Sequence, residues 1–326
     1  MTALDGRLMA AALTLARRSA GTSTPNPNVG CILVRDGQVV GRGRTGEGGR
    51  PHAEAAALAA AGPAARGATA WVTLEPCAHV SPRGPACADL LVEAGVARVV
   101  VAMPDPDPRT AGRGIARLRE GGVDVVEDVG RPAAEDELLG FRRHVEDGRP
   151  EIALKLALSL DGRLAMADGR SRWLTGPVAR AFGHALRARA DAVVVGHGTF
   201  RVDRPELTVR LPGWTGRQPA RVVVGRPAAV PTGWLAVPDL PGLLALARSR
   251  AWLRLLVEGG GRLAGALLAA DLVDRLWLFR APLLVGEGPS LEGFEATDLA
   301  AARARWTLAS RRVLGGDVLE ELVRAR

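Results

Sequence analysis

The sequence predicts an α/β protein in two domains. Short apolar runs with the residue types of strands alternate with Ala-rich segments of helical length. The chain has 326 residues, which favours two hydrophobic cores over one. Around residues 140–150 a charged stretch ending in Gly148-Arg149-Pro150 interrupts the alternation, after which it restarts. We place the domains at residues 1–147 and 148–326.

The elements follow in order. An Ala-rich N-terminal helix leads into the turn Thr24-Pro25-Asn26-Pro27-Asn28. Residues 29–34 and 38–43 form a hairpin around Asp36-Gly37, a dipeptide suited to a tight turn. Residues 52–61 form a helix closed by Gly62-Pro63. A strand at 69–74, a helix at 86–94 ended by Gly95, and a nearly all-apolar strand at 97–103 come next. A helix at 114–120 stops at Gly121-Gly122, and 123–127 is a strand. Strands separated by helices imply a largely parallel sheet covered on both faces. Beyond the break, 151–159 is a strand, 176–190 a helix, and 191–196, 221–224 and 253–257 are strands. The turn Gly259-Gly260-Gly261 introduces a helix through residue 270, and 276–279 is a later strand.

Composition narrows the function. Hydrophobic residues make up 47% and charged residues 24%, as in a soluble globular protein. Neither a signal peptide nor an apolar run of bilayer length is expected. Three cysteines suit a reducing cytoplasm and a metal site better than a disulfide framework. The net charge of +8 is spread beside Asp and Glu with no basic block, and Tyr is absent. This argues against nucleic acid and for a phosphorylated small ligand. Lys155 is the only lysine, inside an apolar run, which points to a site where a guanidinium will not serve.

The sharpest chemical signal is His52-Ala53-Glu54 followed by Pro76-Cys77 and Cys87. One imidazole and two thiolates would leave a tetrahedral zinc ion one open position, the arrangement of a catalytic site. Zinc would bring the pKa of a bound water toward neutrality, and Glu54 would carry a proton from that water to leaving ammonia. His52 and Glu54 fall in the first turn of one helix and Cys87 in that of another, where unpaired N–H groups favour thiolate. A hydrolytic deaminase follows, with a structural zinc as the bland alternative. Cys31, in a strand of small apolar residues, reads as a buried thiol.

The motifs Asn26-Pro27-Asn28-Val29-Gly30-Cys31, His52-Ala53-Glu54, Thr73-Leu74-Glu75-Pro76-Cys77-Ala78-His79, Asp105-Pro106-Asp107-Pro108 and Gly112-Arg113-Gly114-Ile115 resemble the bacterial bifunctional riboflavin-pathway deaminase–reductase family. The resemblance covers nearly the whole chain. It implies a cytidine-deaminase-like N-terminal domain followed by a dihydrofolate-reductase-like α/β C-terminal domain. The first removes the 2-amino group of 2,5-diamino-6-(5-phosphoribosylamino)pyrimidin-4-one. His52, Cys77 and Cys87 would bind Zn2+, Glu54 would be the proton shuttle, and Asn26 and His79 would lie near the substrate. The chain departs from the family pattern at three places. The run Val80–Cys87 is one residue longer, Thr45 replaces a His, and Asp107 replaces an Asn.

The second half carries Lys155-Leu156-Ala157, Ser171-Arg172-Trp173, Gly196-His197-Gly198-Thr199, the run from Asp203 to Arg210, and Glu258-Gly259-Gly260-Gly261. A Gly-rich turn between strand and helix can hold a pyrophosphate, though alone it is a weak signal. The resemblance implies an NADPH-dependent reductase that delivers hydride to C1′ of the deaminated product. Ala157, Trp173, Thr199, Asp203, Gly260 and Gly261 would contact NADPH. Ser171, Arg187, Leu207, Arg210 and Glu258 would contact the phosphorylated pyrimidine substrate. Lys155 would sit beside the reacting ribose, and either Lys155 or Glu258 would transfer the proton. Each has a plainer reading: Arg187 as a solvated helix face, Thr199 and Asp203 as turn caps, Trp173 as core. Assembly with further copies of the chain stays open. One rival is a nucleic-acid base deaminase with an appended domain, although nine residues separate Cys77 and Cys87 rather than two. The other is a reductase whose deaminase half is an inactive scaffold.

Overall fold

The structure is a computed structural model that describes residues 2–79 and 83–325. The chain divides into two compact units, Met1–Arg149 and Pro150–Arg326.

The first unit runs α1 (Ala3–Arg17), β1 (Gly30–Arg35), β2 (Gln38–Arg44), α2 (Ala53–Ala61), β3 (Thr69–Val72), α3 (Cys87–Glu93), β4 (Arg98–Val101), α4 (Arg113–Glu120), β5 (Asp124–Val126), α5 (Arg131–Glu137) and α6 (Leu139–Asp147). Its five strands lie in the order β2-β1-β3-β4-β5. Only the β3-β4-β5 side is parallel. At the other edge β1 pairs antiparallel with β2, in the expected hairpin, and also with β3. A two-residue turn allows nothing else: Asp36 and Gly37 both take positive φ, 50° and 74°, and return the chain on itself. Helix α2 lies directly on β2. A Cβ at Gly43 would stand 2.0 Å from the carbonyl oxygen of Ala53, so glycine there sets the depth at which the start of α2 is held.

Residues 131–147, which include most of the stretch read as a break, form α5 and α6. The charges that suggested a linker are helical ion pairs, Arg142–Glu146 and Arg143–Asp147, at four-residue spacing. Leu138 and Phe141 turn inward onto the core of the unit.

The second unit runs β6 (Glu151–Leu158), α7 (Pro177–Ala188), β7 (Ala192–Gly196), α8 (His197–Asp203), β8 (Ala220–Val224), β9 (Trp234–Val237), α9 (Leu240–Ser249), β10 (Arg254–Val257), α10 (Gly261–Ala269), β11 (Arg275–Arg280), α11 (Leu299–Ala304), β12 (Trp306–Leu314) and β13 (Asp317–Arg324). The sheet order is β12-β13-β11-β6-β10-β7-β8-β9. Six strands, β11 to β9 in that order, are parallel, and the β12–β13 hairpin adds an antiparallel edge. On β6, Ile152, Leu154 and Leu156 enter one core, while Ala153 joins the core on the other face. The period of two puts Lys155 and Ala157 on that second face too. The N-terminal strand ends carry buried charge. Glu151 pairs with Arg254 and Arg275, and Asp191 accepts the main-chain N–H of Leu253 and Arg254. Among the described residues, no helix is long and apolar enough to cross a membrane.

One carboxylate ties the first unit together. Asp5, 1% exposed, accepts from the Trp71 indole at 3.1 Å and from two nitrogens of Arg98 at 3.0 and 3.3 Å. It also closes the capping box of α1 with Thr2. The Arg98 guanidinium holds the Asp5 carboxyl well below the usual carboxylate range. Because folding lowers this pKa, its stabilisation is complete above the unfolded value of about 4 and fades as pH falls below it. Asp5→Ala is therefore expected to cost about 3 kcal/mol at pH 7. Urea denaturation across pH checks this: the gap from wild type closes below about pH 4, whereas a pH-independent gap would mean packing alone.

Candidate active sites

In the first unit, three sequence elements deliver metal donors to one point. His52 is the N-cap of α2, with extended backbone at φ −68° and ψ 158°. Cys87 opens α3, and Cys77 follows the end of β3. His52 Nδ1 lies 3.3 Å from Cys87 Sγ and 3.6 Å from Cys77 Sγ. All three donor atoms fall within 4.8 Å of one another. A tetrahedral zinc with ordinary Zn–N and Zn–S bonds separates nitrogen from sulfur by about 3.5 Å, so the residues present fit that ion. The main-chain N–H of Cys87 donates to Cys77 Sγ at 3.3 Å. Hydrogen bonding from Cys87, with His52 adding to it, holds the Cys77 thiol well below its ordinary pKa. Behind the ring, His52 Nε2 lies 2.9 Å from the Asn26 amide nitrogen, which also donates to Gly49 O at 3.0 Å. Asn26 thus lies against the imidazole on the side away from the sulfurs.

Glu54, in the first turn of α2, is 4% exposed, and burial pushes its carboxyl up to about 7. A carboxyl with that pKa can take and release a proton near neutrality. Cys31 is buried in β1 and belongs to the hydrophobic core.

Asn26, His52, Glu54, Cys77 and His79 share the wall of a cavity of about 370 Å³. Its rim comes from the loop after β4, where Asp107 grips Arg109 through both oxygens at 3.0 Å. That guanidinium lowers the Asp107 pKa, so the aspartate that departs from the family pattern enters the cavity as half of an ion pair. His79 Nδ1 lies 3.3 Å from Thr110 Oγ1 on the same loop. Thr45, at the position of the family His, donates to Pro27 O at 2.8 Å and accepts from Val29 N at 2.9 Å. It pins the turn that carries Asn26. Of the longer run Val80–Cys87, Val80, Ser81 and Pro82 lie outside the described residues.

The sequence reading passed over two contributors to this site. Burial raises the Asp105 carboxyl to about 7 on the cavity wall. Glu75, 2% exposed, accepts four main-chain N–H groups: Asp105 at 3.1, Gly112 at 3.0, Gly114 at 2.9 and Ile115 at 3.2 Å. Glu75 therefore straps the rim loop and the start of α4 to the segment that ends in Cys77. Its position two residues before Cys77 was the available signal, but its partners lie some thirty to forty residues downstream.

In the second unit, Lys155 on β6 extends over the Phe279 ring, with Nζ 5.4 Å from the centroid. Burial draws its pKa below the ordinary lysine value, while the nearby Glu258 opposes that shift. Glu258 follows β10, and its main-chain N–H donates to Val194 O at 2.9 Å. Arg187 on α7 meets both Glu258 oxygens, at 2.5 and 2.9 Å, and donates to Thr208 O at 3.0 Å. Burial alone would raise the Glu258 carboxyl, but Arg187 outweighs it and holds the pKa below its ordinary value. Arg187 is a largely covered, two-pronged partner of Glu258 rather than a solvated face.

Thr199 Oγ1 accepts the Gly260 N–H at 3.0 Å, joining the ends of β7 and β10. Gly260 caps α10 and Gly261 opens it. A Cβ at Gly261 would stand 1.7 Å from Ser290 O, so packing by itself demands glycine there. Asp203 ends α8, and its carboxyl hydrogen-bonds Ser171. Trp173 is 65% exposed, not core, with Arg180 stacked 4.6 Å over its ring. An exposed aromatic, a Thr–Gly link and a glycine-rich helix start fit a dinucleotide phosphate. Leu207 is 2% exposed, so its side chain is core and only its main chain, at φ 54°, is available to a ligand. The Arg210 side chain turns to Glu206, while its N–H reaches His184 Nδ1 at 3.2 Å. His184, which the sequence reading did not single out, links α7 to the segment carrying Leu207 and Arg210.

These sites define a zinc-type deaminase unit followed by a reductase unit, and comparison with known proteins agrees. Residues 2–103 match the cytidine and deoxycytidylate deaminase zinc-binding region, and residues 150–319 match the RibD C-terminal domain. The chain belongs to the RibD family and is a bifunctional deaminase and reductase of riboflavin biosynthesis. It is 40% identical to the riboflavin biosynthesis protein RibD of Escherichia coli, over 98% of this chain and 100% of that protein. Among solved structures, Acinetobacter baumannii RibD superposes with a TM-score of 0.87 at 36% identity over 99% of each chain. A Thermotoga maritima diaminohydroxyphosphoribosylaminopyrimidine deaminase/5-amino-6-(5-phosphoribosylamino)uracil reductase gives a TM-score of 0.88 at 30% identity, over 98% of this chain and 99% of that one.

Glu75→Gln should test the strap. An amide cannot accept from four amides without presenting its own NH2 to some of them, and the expected cost is about 2 kcal/mol or more. Ammonia release should fall while NADPH oxidation on the deaminated product is unchanged. Equal deaminase rates in wild type and variant would dismiss the strap as incidental.

Proposed function

We propose that the first unit deaminates 2,5-diamino-6-(5-phosphoribosylamino)pyrimidin-4-one and that the second reduces the ribose of the resulting 5-amino-6-(5-phosphoribosylamino)uracil. The observation that carries the first half is the convergence of His52, Cys77 and Cys87 beside the buried Glu54. His52, Cys77 and Cys87 would hold zinc, which when bound makes water acidic enough to serve as a nucleophile near neutral pH. Glu54 takes the proton from the attacking water and returns it to the departing amino group. Asn26, beside the imidazole, and His79, on the rim, would meet the substrate.

In the second unit, NADPH when bound supplies a hydride to C1′. Trp173, Thr199, Asp203, Gly260 and Gly261 would hold it, with Ala157 beneath on the face of β6 that bears Lys155. Ser171, Arg187, Arg210 and the main chain of Leu207 would hold the ribotide. Glu258 has both oxygens engaged by Arg187 and stays ionised. Lys155, its pKa drawn down by burial, is the better acid and gives its proton to the ribose oxygen as the ring opens. Glu258 keeps that ammonium in place. The domain boundary falls between residues 147 and 150, and the enzyme works on small molecules in the cytoplasm, with self-association compatible.

Supplying the diaminopyrimidine ribotide with and without NADPH, and identifying products by mass, tests the sequence of steps. Glu54→Gln should lower ammonia release by roughly a thousandfold with zinc content and reductase activity intact. Lys155→Arg should abolish NADPH oxidation and leave ammonia release unchanged. Full reductase activity in Lys155→Arg would remove the lysine from the chemistry.

A further inference from the structure

Between α8 and β8 the chain leaves regular structure. Residues 204–219 hold no helix or strand, so their main-chain polar groups need partners from outside a ladder. From Thr208 to Arg210 side chains supply them. Gln218 brackets Val209: its Oε1 accepts the Val209 N–H at 2.7 Å, and its Nε2 donates to Val209 O at 3.1 Å. The Arg210 N–H donates to His184 Nδ1 at 3.2 Å. Thr208 O lies 3.0 Å from that same nitrogen, but Arg187 serves it as donor. His184 and Arg187 stand three residues apart on α7, so one helix and one glutamine grip three consecutive residues. Burial, with the charges of Arg187 and Arg210, draws the His184 pKa below its ordinary value. The ring is therefore neutral near pH 7, and Nδ1 is free to accept.

The gripped stretch follows directly on Leu207, whose φ of 54° is unfavourable for a bulky side chain. The Leu207 and Val209 side chains are buried and anchor the stretch from below. The N–H groups of Leu207 and Thr208 have no partner among the described residues. Backbone held away from its preferred geometry beside open donors is a feature of ligand sites. We propose that His184 and Gln218 are positioning residues of the reduction step. They fasten the main chain of 208–210 so that the Leu207 main chain and Arg210 are presented to the ribotide. This rests on the ribotide assigned to the second unit above. Each residue acts through the segment it grips, and the chemistry stays with Lys155 and NADPH.

The test uses the full-length enzyme and three variants. His184→Leu and Gln218→Leu remove the two grips independently, so the inference survives a folding failure in one of them. His184→Asn returns an acceptor near the position of Nδ1. KM and kcat for NADPH oxidation are measured with the deaminated ribotide varied, and KM again with NADPH varied. Each Leu variant should raise the ribotide KM roughly tenfold. Their kcat and their KM for NADPH should stay close to wild type, and His184→Asn should recover most of the lost affinity. A wild-type ribotide KM in either Leu variant would overturn the assignment. So would a matching loss of NADPH affinity in both, or a His184→Asn enzyme as impaired as His184→Leu, because the contacts would then support the fold alone. Failure of the wild-type enzyme to oxidise NADPH with the ribotide would instead overturn the substrate reading, and this inference with it.

Discussion

The first turn of a helix holds N–H groups that no carbonyl of that helix can reach. In each unit such turns stand where strands end, and the reactive groups gather around them. His52 and Glu54 begin α2, Cys87 begins α3, and Cys77 follows β3. Glu258 and Gly260 follow β10, and Thr199 follows β7 at the start of α8. Amides that would otherwise be unpaired become donors: the Cys87 N–H to a sulfur, the Gly260 N–H to a hydroxyl. Place a sheet edge and its helices, and the chemistry is placed.

The opposite strand ends are closed by charge. Glu151, Arg254, Arg275 and Asp191 occupy them in the second unit, all paired and all but Arg254 buried. Buried ion pairs of this kind contribute little net stability, but removing one partner is costly. They restrict strand register, because a one-residue slip would separate Glu151 from both arginines. Fixed register in turn holds Lys155 and Ala157 on the same face as Phe279.

Much of the metal site was legible because cysteine and histidine are so scarce here that two motifs account for all its donors. The central strands were legible from apolar runs, and the first hairpin from Asp36-Gly37. Residues 131–147 were not, because charges four apart look alike in a linker and on a solvated helix until the inward Leu138 and Phe141 are seen. The helices α8, α9 and α11 and the strands β9, β12 and β13 went unread. The edge strand β12 exposes residues on both faces, Arg311 and Arg312 among them, and so lacks a continuous apolar run. Glu75 escaped for a related reason. Its meaning lies in partners far along the chain, which spacing alone does not reveal. Leu207 and Trp173 were placed by resemblance; Leu207 is buried, and Trp173 is exposed rather than core.

The solitary ε-amine at position 155 has one more consequence. Acylating or carbonyl-bearing reagents that spare guanidinium groups meet no other side chain of their preferred kind. A chain of 326 residues thus offers a single side-chain amine, seated beside Phe279 and near Glu258. Isotopic labelling of lysine would give one ε-amine signal, a reporter on one pocket that leaves every side chain unaltered.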